Sequence, residues 1–300
     1  MGYHKPVLLH KSVDGLAVKS GGTYVDLTFG GGGHSVEILR RMGKGLLVAF
    51  DQDADSMYEA EKIKDKRFLF IRGNFRFFRN YLRFHNILKV DGILADLGVS
   101  SHHFDSAERG FSFSYPGPLD MRMNREASLK ASDIVNTYSE EELSSVFRNY
   151  GEVSNFRKLA KTIVEARGKE AFESTGEFVN VVSSSVPPGN RNKYLAKVFQ
   201  ALRIEVNREA DSLREMLEQV LPALKKEGRL SVIAYHSIED RMVKNFTKTG
   251  NVEGKLEKDF YGKPLVPLRP LNRKAIVAGE KEVSENNRSR SARLRIAEKI

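Results

Sequence analysis

A doubly wound α/β fold with a mostly parallel sheet and an inserted helical domain is predicted by three features of the sequence. Short apolar runs alternate with amphipathic stretches over residues 23–97, a further run returns at 228–235, and between 112 and 210 strand signal gives way to helical periodicity. The corresponding division is residues 1–111 for the first part of the α/β domain, 112–210 for the insertion and 211–300 for the second part.

The first strand is Thr23 to Leu27, which runs into four glycines, Gly30 to Gly33, and then into a helical stretch from His34 to Met42 carrying Val36, Ile38 and Leu39. A second strand, Gly45 to Phe50, ends at Asp51 and is followed by a helix over Ala54 to Ile63. Phe68 to Ile71 reads as a third strand. The fourth, Asp91 to Leu97, is an almost continuous apolar run containing Asp96 near its end, as expected of a parallel strand covered on both faces. In the insertion, Ser139 with Glu142 and Ser174 with Glu177 have the spacing of capping boxes. Apolar stripes at Phe156, Leu159, Ala160, Ile163 and Val164, and at Leu195, Val198, Phe199, Leu202 and Val206, mark core-facing helices. Arg203 and Asn207, four apart on one such helix, share a face expected to meet RNA or, preferably, the α/β domain. The sheet pattern resumes at Gly228 to Tyr235. Ala292, Leu294 and Ile296 alternate with Arg293 and Arg295, which predicts a strand with a basic face. With Arg288 and Arg290 it offers phosphate contacts or a solvated edge that discourages strand pairing. Residues 250–273 lack periodicity and are expected to form a long loop.

With 40% hydrophobic and 29% charged residues, the 300-residue chain is apolar enough to build a sizeable core. Its formal charge of +10 favours polyanions such as nucleic acid or acidic membrane surfaces. The absence of cysteine excludes disulfides, thiolate nucleophiles and Cys-based zinc sites. No run approaches the roughly 18 apolar residues of a membrane span, and Met1 to Val13 lacks a basic region followed by a long apolar stretch. A cytoplasmic protein without membrane partners is expected. The seven histidines have no ligand-type spacing, so no metal site is expected.

A glycine-rich turn between a first strand and a first helix lets backbone approach a nucleotide-like ligand closely. Asp51 lies 21 residues after Gly30, close to the spacing at which an acid ending the second strand meets ribose hydroxyls. The dinucleotide fingerprint needs a third glycine, and this sequence has Ser35 or Val36 there, according to register. Asp26 before the loop would repel a pyrophosphate but could orient a cationic sulfonium amino acid, which favours S-adenosylmethionine over a nicotinamide dinucleotide. A tight turn without a ligand is the alternative. Asp96, at the carboxyl end of the fourth strand, is the first candidate for a carboxylate that accepts a hydrogen bond from an attacking amine, with a helix cap or donor contact as the other readings. His236, just beyond a strand, either lines the target pocket or is a satisfied structural residue.

Long blocks of the chain resemble the RsmH (MraW) family. They are Tyr24-Val25-Asp26-Leu27-Thr28-Phe29-Gly30 through Gly33-His34-Ser35, Asp96-Leu97-Gly98-Val99-Ser100-Ser101, Glu108-Arg109-Gly110-Phe111-Ser112-Phe113, and the stretches 117–123, 198–207, 235–241 and 290–295. The resemblance implies a class I S-adenosylmethionine methyltransferase-like fold that methylates the exocyclic N4 of a cytidine in the decoding region of bacterial 16S rRNA, in the small ribosomal subunit. Carried over residue by residue, the donor contacts would be Gly32, Gly33, His34, Asp51, Phe75, Asp96 and His103. Asp96 and His236 are the catalytic candidates. An amino-methyltransferase acting on another RNA or DNA, and a ribosome-assembly factor without turnover, are the competing readings. A homodimer is left open.

Overall fold

The computed structural model describes residues 6–98 and 106–300. β1 (Gly22–Asp26), β2 (Gly45–Asp51), β3 (Phe68–Arg72) and β4 (Val90–Asp96) fall on the four apolar runs of the first segment. β5 (Leu224–Ala234), the three-residue β6 (Leu268–Pro270) and β7 (Arg293–Lys299) follow in the second. All seven join one sheet in the order β3-β2-β1-β4-β5-β7-β6. Pairing is parallel from β3 to β5, and β7 alone runs against its neighbours. The doubly wound α/β class is therefore correct.

Both faces of the sheet are covered, because consecutive residues of a strand point to opposite faces and neighbours such as Tyr24 and Val25, or Leu47 and Val48, are all buried. Against Tyr24, Leu47 and Leu94 pack Val13 and Leu16 of α1 (Leu9–Leu16) and Ile38 and Leu39 of α2 (Gly33–Arg41). α3 (Asp55–Ala60) and α4 (Phe78–Phe84) follow β2 and β3, and Tyr81 of α4 lies with its ring centroid 5.9 Å from that of Phe50.

The chain forms two compact units, one joining the segment that ends at Gly98 to the segment that begins at Ala210, the other lying between them in sequence. The second unit holds α5 (Ala131–Thr137), α6 (Glu140–Asn149), α7 (Phe156–Arg167), α8 (Thr175–Ser183) and α9 (Arg191–Asn207). Their apolar stripes meet in one core that includes Phe147, Leu159, Ile163, Phe178, Phe199 and also Phe111. Both capping boxes form: Ser139 and Ser174 accept from the amides of Glu142 and Glu177, whose carboxylates reach back to the cap amides. Arg203 pairs with Glu209 at 2.8 and 2.9 Å, and Asn207 holds the 121–123 turn through Met121 and Met123. These two residues thus have hydrogen-bond partners at Glu209, Met121 and Met123, within the segment that ends at Glu209.

In the first unit, α10 (Glu209–Ala223) leads into β5, α11 (Ser237–Thr249) follows it, and α12 (Glu280–Glu285) precedes β7. The basic strand reading needs correction at β7. This strand lies between β5 and β6, so it is not an edge. Arg295 is buried and donates to Asp240 of α11 at 2.7 and 3.1 Å, which removes it from any phosphate-binding role, while Arg290 and Arg293 remain exposed.

Candidate active site

The order of strands reverses between β1 and β4, and ligands of such sheets gather at the carboxyl ends flanking that point. Three acids stand there: Asp26 ends β1, Asp51 ends β2 and Asp96 ends β4.

The glycine loop joins β1 to α2. Gly30 and Gly32 have φ of 52° and 77°, conformations that side chains resist. A Cβ on Gly32 would lie 2.7 Å from the Phe29 ring, and one on Gly33 would lie 2.1 Å from Pro6 Cγ. A Cβ on Gly30 would meet no atom of the described residues within 4 Å, so none of them closes over the loop at this point. Beneath the loop, Asp26 is fully buried. Its Oδ1 accepts from the Thr28 amide at 3.2 Å and its Oδ2 from the Ser35 hydroxyl at 2.7 Å. Burial pushes this carboxyl up, and His34, Ser35 and Thr28 partly oppose the shift. Asp26 pins the loop by contact, so it would act on a bound cation through charge. His34, in the first turn of α2, is buried with Nε2 3.2 Å from the Val7 carbonyl.

Asp51 closes the same loop from the second strand. Its Oδ2 accepts from the Gly30 amide at 2.8 Å and its Oδ1 from the Asp53 amide at 2.9 Å. Burial raises this carboxyl to about 6, against the two amides and with help from the charges of Asp53 and Asp26. The Gly30-to-Asp51 spacing is therefore realised as a direct hydrogen bond. Phe75 begins a single 3-10 turn after β3, capped by Asn74, whose side-chain amide donates to Gln52 at 2.9 Å. This half-buried ring is thereby tied to the end of β2. Gly32, Gly33, His34, Asp51 and Phe75 thus belong to or flank the loop and the second strand's end. His103 lies outside the described residues.

Asp96 faces a different set of groups. Its amide donates to Thr28 Oγ1 at 2.6 Å, which fastens the end of β4 to the loop. Its carboxyl lies beside the Tyr235 hydroxyl and the Gly98 amide, both of which lower its proton affinity, while Oδ1 is buried without a hydrogen-bond partner among the described residues. Burial pushes this carboxyl up, and the charge of His34 and the Tyr235 hydroxyl oppose it. Tyr235 itself is driven well above the usual phenol range by burial and by Asp96, so it is a fixed donor. Leaving a carboxylate oxygen enclosed and unpaired costs free energy, and such groups concentrate where a ligand completes the set.

His236, next in sequence, is the N-cap of α11. Its Nδ1 accepts from the Glu239 amide at 3.4 Å, while the Glu239 carboxylate accepts from the Tyr235 amide at 2.9 Å. Nε2 lies 3.1 Å from Glu239 Oε1 but is not aligned for a hydrogen bond. The pair forms a capping box that fixes the backbone turn carrying Tyr235. Sequence reasoning did not single out Tyr235. A signal for it exists in the pairing of β4 with β5, which sets Asp96 opposite Ile233, two residues before the phenol.

A family model described as the MraW methylase family matches residues 1–300. The chain belongs to the MraW methylase family. Curated relatives agree over the full length. The ribosomal RNA small subunit methyltransferase H of Bacteroides thetaiotaomicron is 58% identical over 99% of this chain and 97% of its own, and that of Flavobacterium johnsoniae is 55% identical over 100% and 99%. Among solved structures, an rRNA methylase from Streptococcus thermophilus aligns at a TM-score of 0.46 and 12% identity, covering 99% of this chain and 98% of that one. Membership in the MraW family bears out the resemblance drawn from the sequence blocks, and the methyl donor is S-adenosylmethionine.

Proposed function

We propose that this MraW family member transfers a methyl group from S-adenosylmethionine to the exocyclic N4 of a cytidine in the decoding region of 16S rRNA within the small ribosomal subunit. The relatives that match over nearly their full length, ribosomal RNA small subunit methyltransferases H, support the substrate class. The observation that carries the chemistry is the buried Asp96 carboxyl at the end of β4, fastened to the donor loop through its amide and Thr28, beside Tyr235 and with Oδ1 unpaired among the described residues.

The residues fit the donor. No described residue closes over Gly30, the loop glycines give backbone access, and Asp51 presents a carboxylate for ribose hydroxyls. Gly32, Gly33, His34, Asp51 and Phe75 would hold S-adenosylmethionine, with His103 a further candidate. Bound there, the donor supplies an electrophilic methyl group on a sulfonium.

The amine of cytidine is a weak nucleophile because its lone pair is delocalised into the ring. Asp96 Oδ1 accepts a hydrogen bond from N4, which localises that lone pair and aligns it. As the N4–methyl bond forms and the sulfur–methyl bond breaks, positive charge grows on nitrogen and the carboxylate stabilises it. The raised proton affinity of the buried carboxyl suits it to take the surplus N4 proton. Tyr235 acts through Asp96, and His236 acts through the turn that carries Tyr235. A paired cytidine cannot present this amine, so a flipped or single-stranded base is required. One protomer supplies every group named. A small-subunit substrate supports a cytoplasmic location, and no described helix is long and apolar enough to cross a membrane.

The test is methyl transfer from labelled S-adenosylmethionine to small subunits lacking the modification, followed by digestion to nucleosides. Labelled N4-methylcytidine is expected. Intact donor binding with no label would overturn the substrate assignment in favour of another nucleic acid or an assembly role.

A further inference from the structure

Residues 250–273, expected to be a structureless loop, contain a built hairpin. Lys258 and Pro264 form an antiparallel bridge, the Leu265 amide donates to the Glu257 carbonyl at 2.8 Å, and the Asp259 amide donates to the Lys263 carbonyl at 2.9 Å. Asp259 Oδ1 accepts from the amides of Tyr261 and Lys263, each at 2.9 Å, and Gly262 takes φ of 80°. The stem is tied at Asn251, which exchanges two hydrogen bonds with the Lys255 backbone.

This turn displays Phe260 and Tyr261 at 97% and 90% exposure, more than any other large hydrophobic side chain described. Their centroids are 5.6 Å apart with planes at 87°, so the two ring faces point in different directions and each is open to stack. Single exposed apolar side chains are ordinary, but two adjacent aromatic rings on an ordered tip form a platform. Lys258 and Lys263 each lie two residues from the pair in sequence and Lys255 lies at the stem, all exposed. Between Lys255 and Lys274 the chain carries six Lys or Arg against two acids, and one of those acids, Asp259, is occupied with turn amides. Aromatic faces interleaved with lysines suit an unstacked nucleotide and its phosphates.

We propose that the 255–265 hairpin is an RNA-stacking element that grips nucleotides flanking the target, an inference that rests on the RNA methyltransferase reading above. α11 separates the hairpin from Tyr235, and its 13 residues span about 20 Å, so the hairpin engages RNA away from the reacting base. Binding at such a distance lowers KM for the RNA without changing the chemical step.

The test uses the full chain, labelled donor and small ribosomal subunits lacking the modification. Phe260→Ala with Tyr261→Ala should raise KM for subunits on the order of tenfold, with kcat and donor affinity held within about twofold. Tyr261→Phe, which keeps the ring, should retain the wild-type KM. Replacing Lys255, Lys258 and Lys263 by Ala should flatten the dependence of KM on salt. An unchanged KM in the double variant, with methylation intact, overturns the hairpin assignment and leaves the RNA reading standing; failure of the wild type to methylate subunits overturns that reading itself. Loss of a dimer, or of binding to anionic phospholipid vesicles, with KM unmoved would assign the platform to a second copy or a lipid surface and equally overturn the proposal.

Discussion

The Tyr235 hydroxyl neighbours the carboxylate of Asp96 across the β4–β5 boundary and lowers its proton affinity, from a phenol that burial keeps protonated. Oδ1 of this acid is buried without a hydrogen-bond partner among the described residues.

Tyr235→Phe tests that relationship. A polar contact with a charged group is worth up to about 1.5–3 kcal/mol, so kcat should fall roughly 10- to 100-fold with little change in donor affinity. The hydroxyl lowers the proton affinity of Asp96, so its removal should shift the acid limb of the kcat profile to higher pH. A fall in kcat with no shift of the limb would show that the phenol serves folding only.

Asp96→Asn removes the acceptor itself. The expected loss is on the order of 100-fold in kcat or more, as for other positioned acid–base groups, with donor affinity preserved. Isothermal titration with S-adenosylmethionine alongside single-turnover rates separates the two quantities. Equal losses in both would make Asp96 a donor ligand.

Donor affinity should depend on pH through Asp51. Its carboxyl is raised to about 6, and only the ionised form accepts hydrogen bonds from two ribose hydroxyls. Affinity should therefore be flat near pH 7 and weaken as pH falls through about 6, by up to tenfold per unit. Asp51→Asn should bind weakly and show no such titration between pH 5 and 7.

Gly33→Ala places a methyl 2.1 Å from Pro6 Cγ. Overpacking of this kind costs about 1–3 kcal/mol. Chemical denaturation should show that loss together with weakened donor binding, because the same shift displaces the loop.

Arg295→Ala leaves Asp240 buried with only the Arg293 guanidinium, 3.5 Å away, as compensation. Breaking a buried pair costs about 3–5 kcal/mol, and the nearby Arg293 puts the expectation near 3. If RNA affinity falls instead while the folded state keeps its stability, the residue is a phosphate contact after all.

Much of the sheet was legible because β1, β2 and β4 are continuous apolar runs that end in acids, a pattern set by burial on both faces. The placement of Asp51 beside the glycine loop was legible because the strand–loop–strand spacing is local. Tyr235 was not, since its partner is 139 residues away in sequence and only the placement of β5 against β4 joins them. Arg295 was misread because alternation says which side a residue takes, not whether an acid on a covering helix waits there. α1 went unseen although Leu9, Val13 and Leu16 recur at helical spacing, because eight residues flanked by Leu8 and Ala17 in left-handed backbone make too short a run to stand out. The hairpin carried a readable cue, an Asp three residues before a Gly, that the lack of periodicity obscured.

The α/β unit is assembled from two stretches of chain, and the order of synthesis has a consequence. A nascent chain that has reached Asp96 already possesses all three strand-end carboxylates, yet β4 still lacks its neighbour and Asp96 its phenol. More than a hundred further residues must emerge before β5 can dock. Pairings of such long sequence separation are slow to form. The donor loop is therefore complete early in translation, whereas the proposed catalytic arrangement closes only near its end, so truncated products would inherit the loop residues without the means to use them.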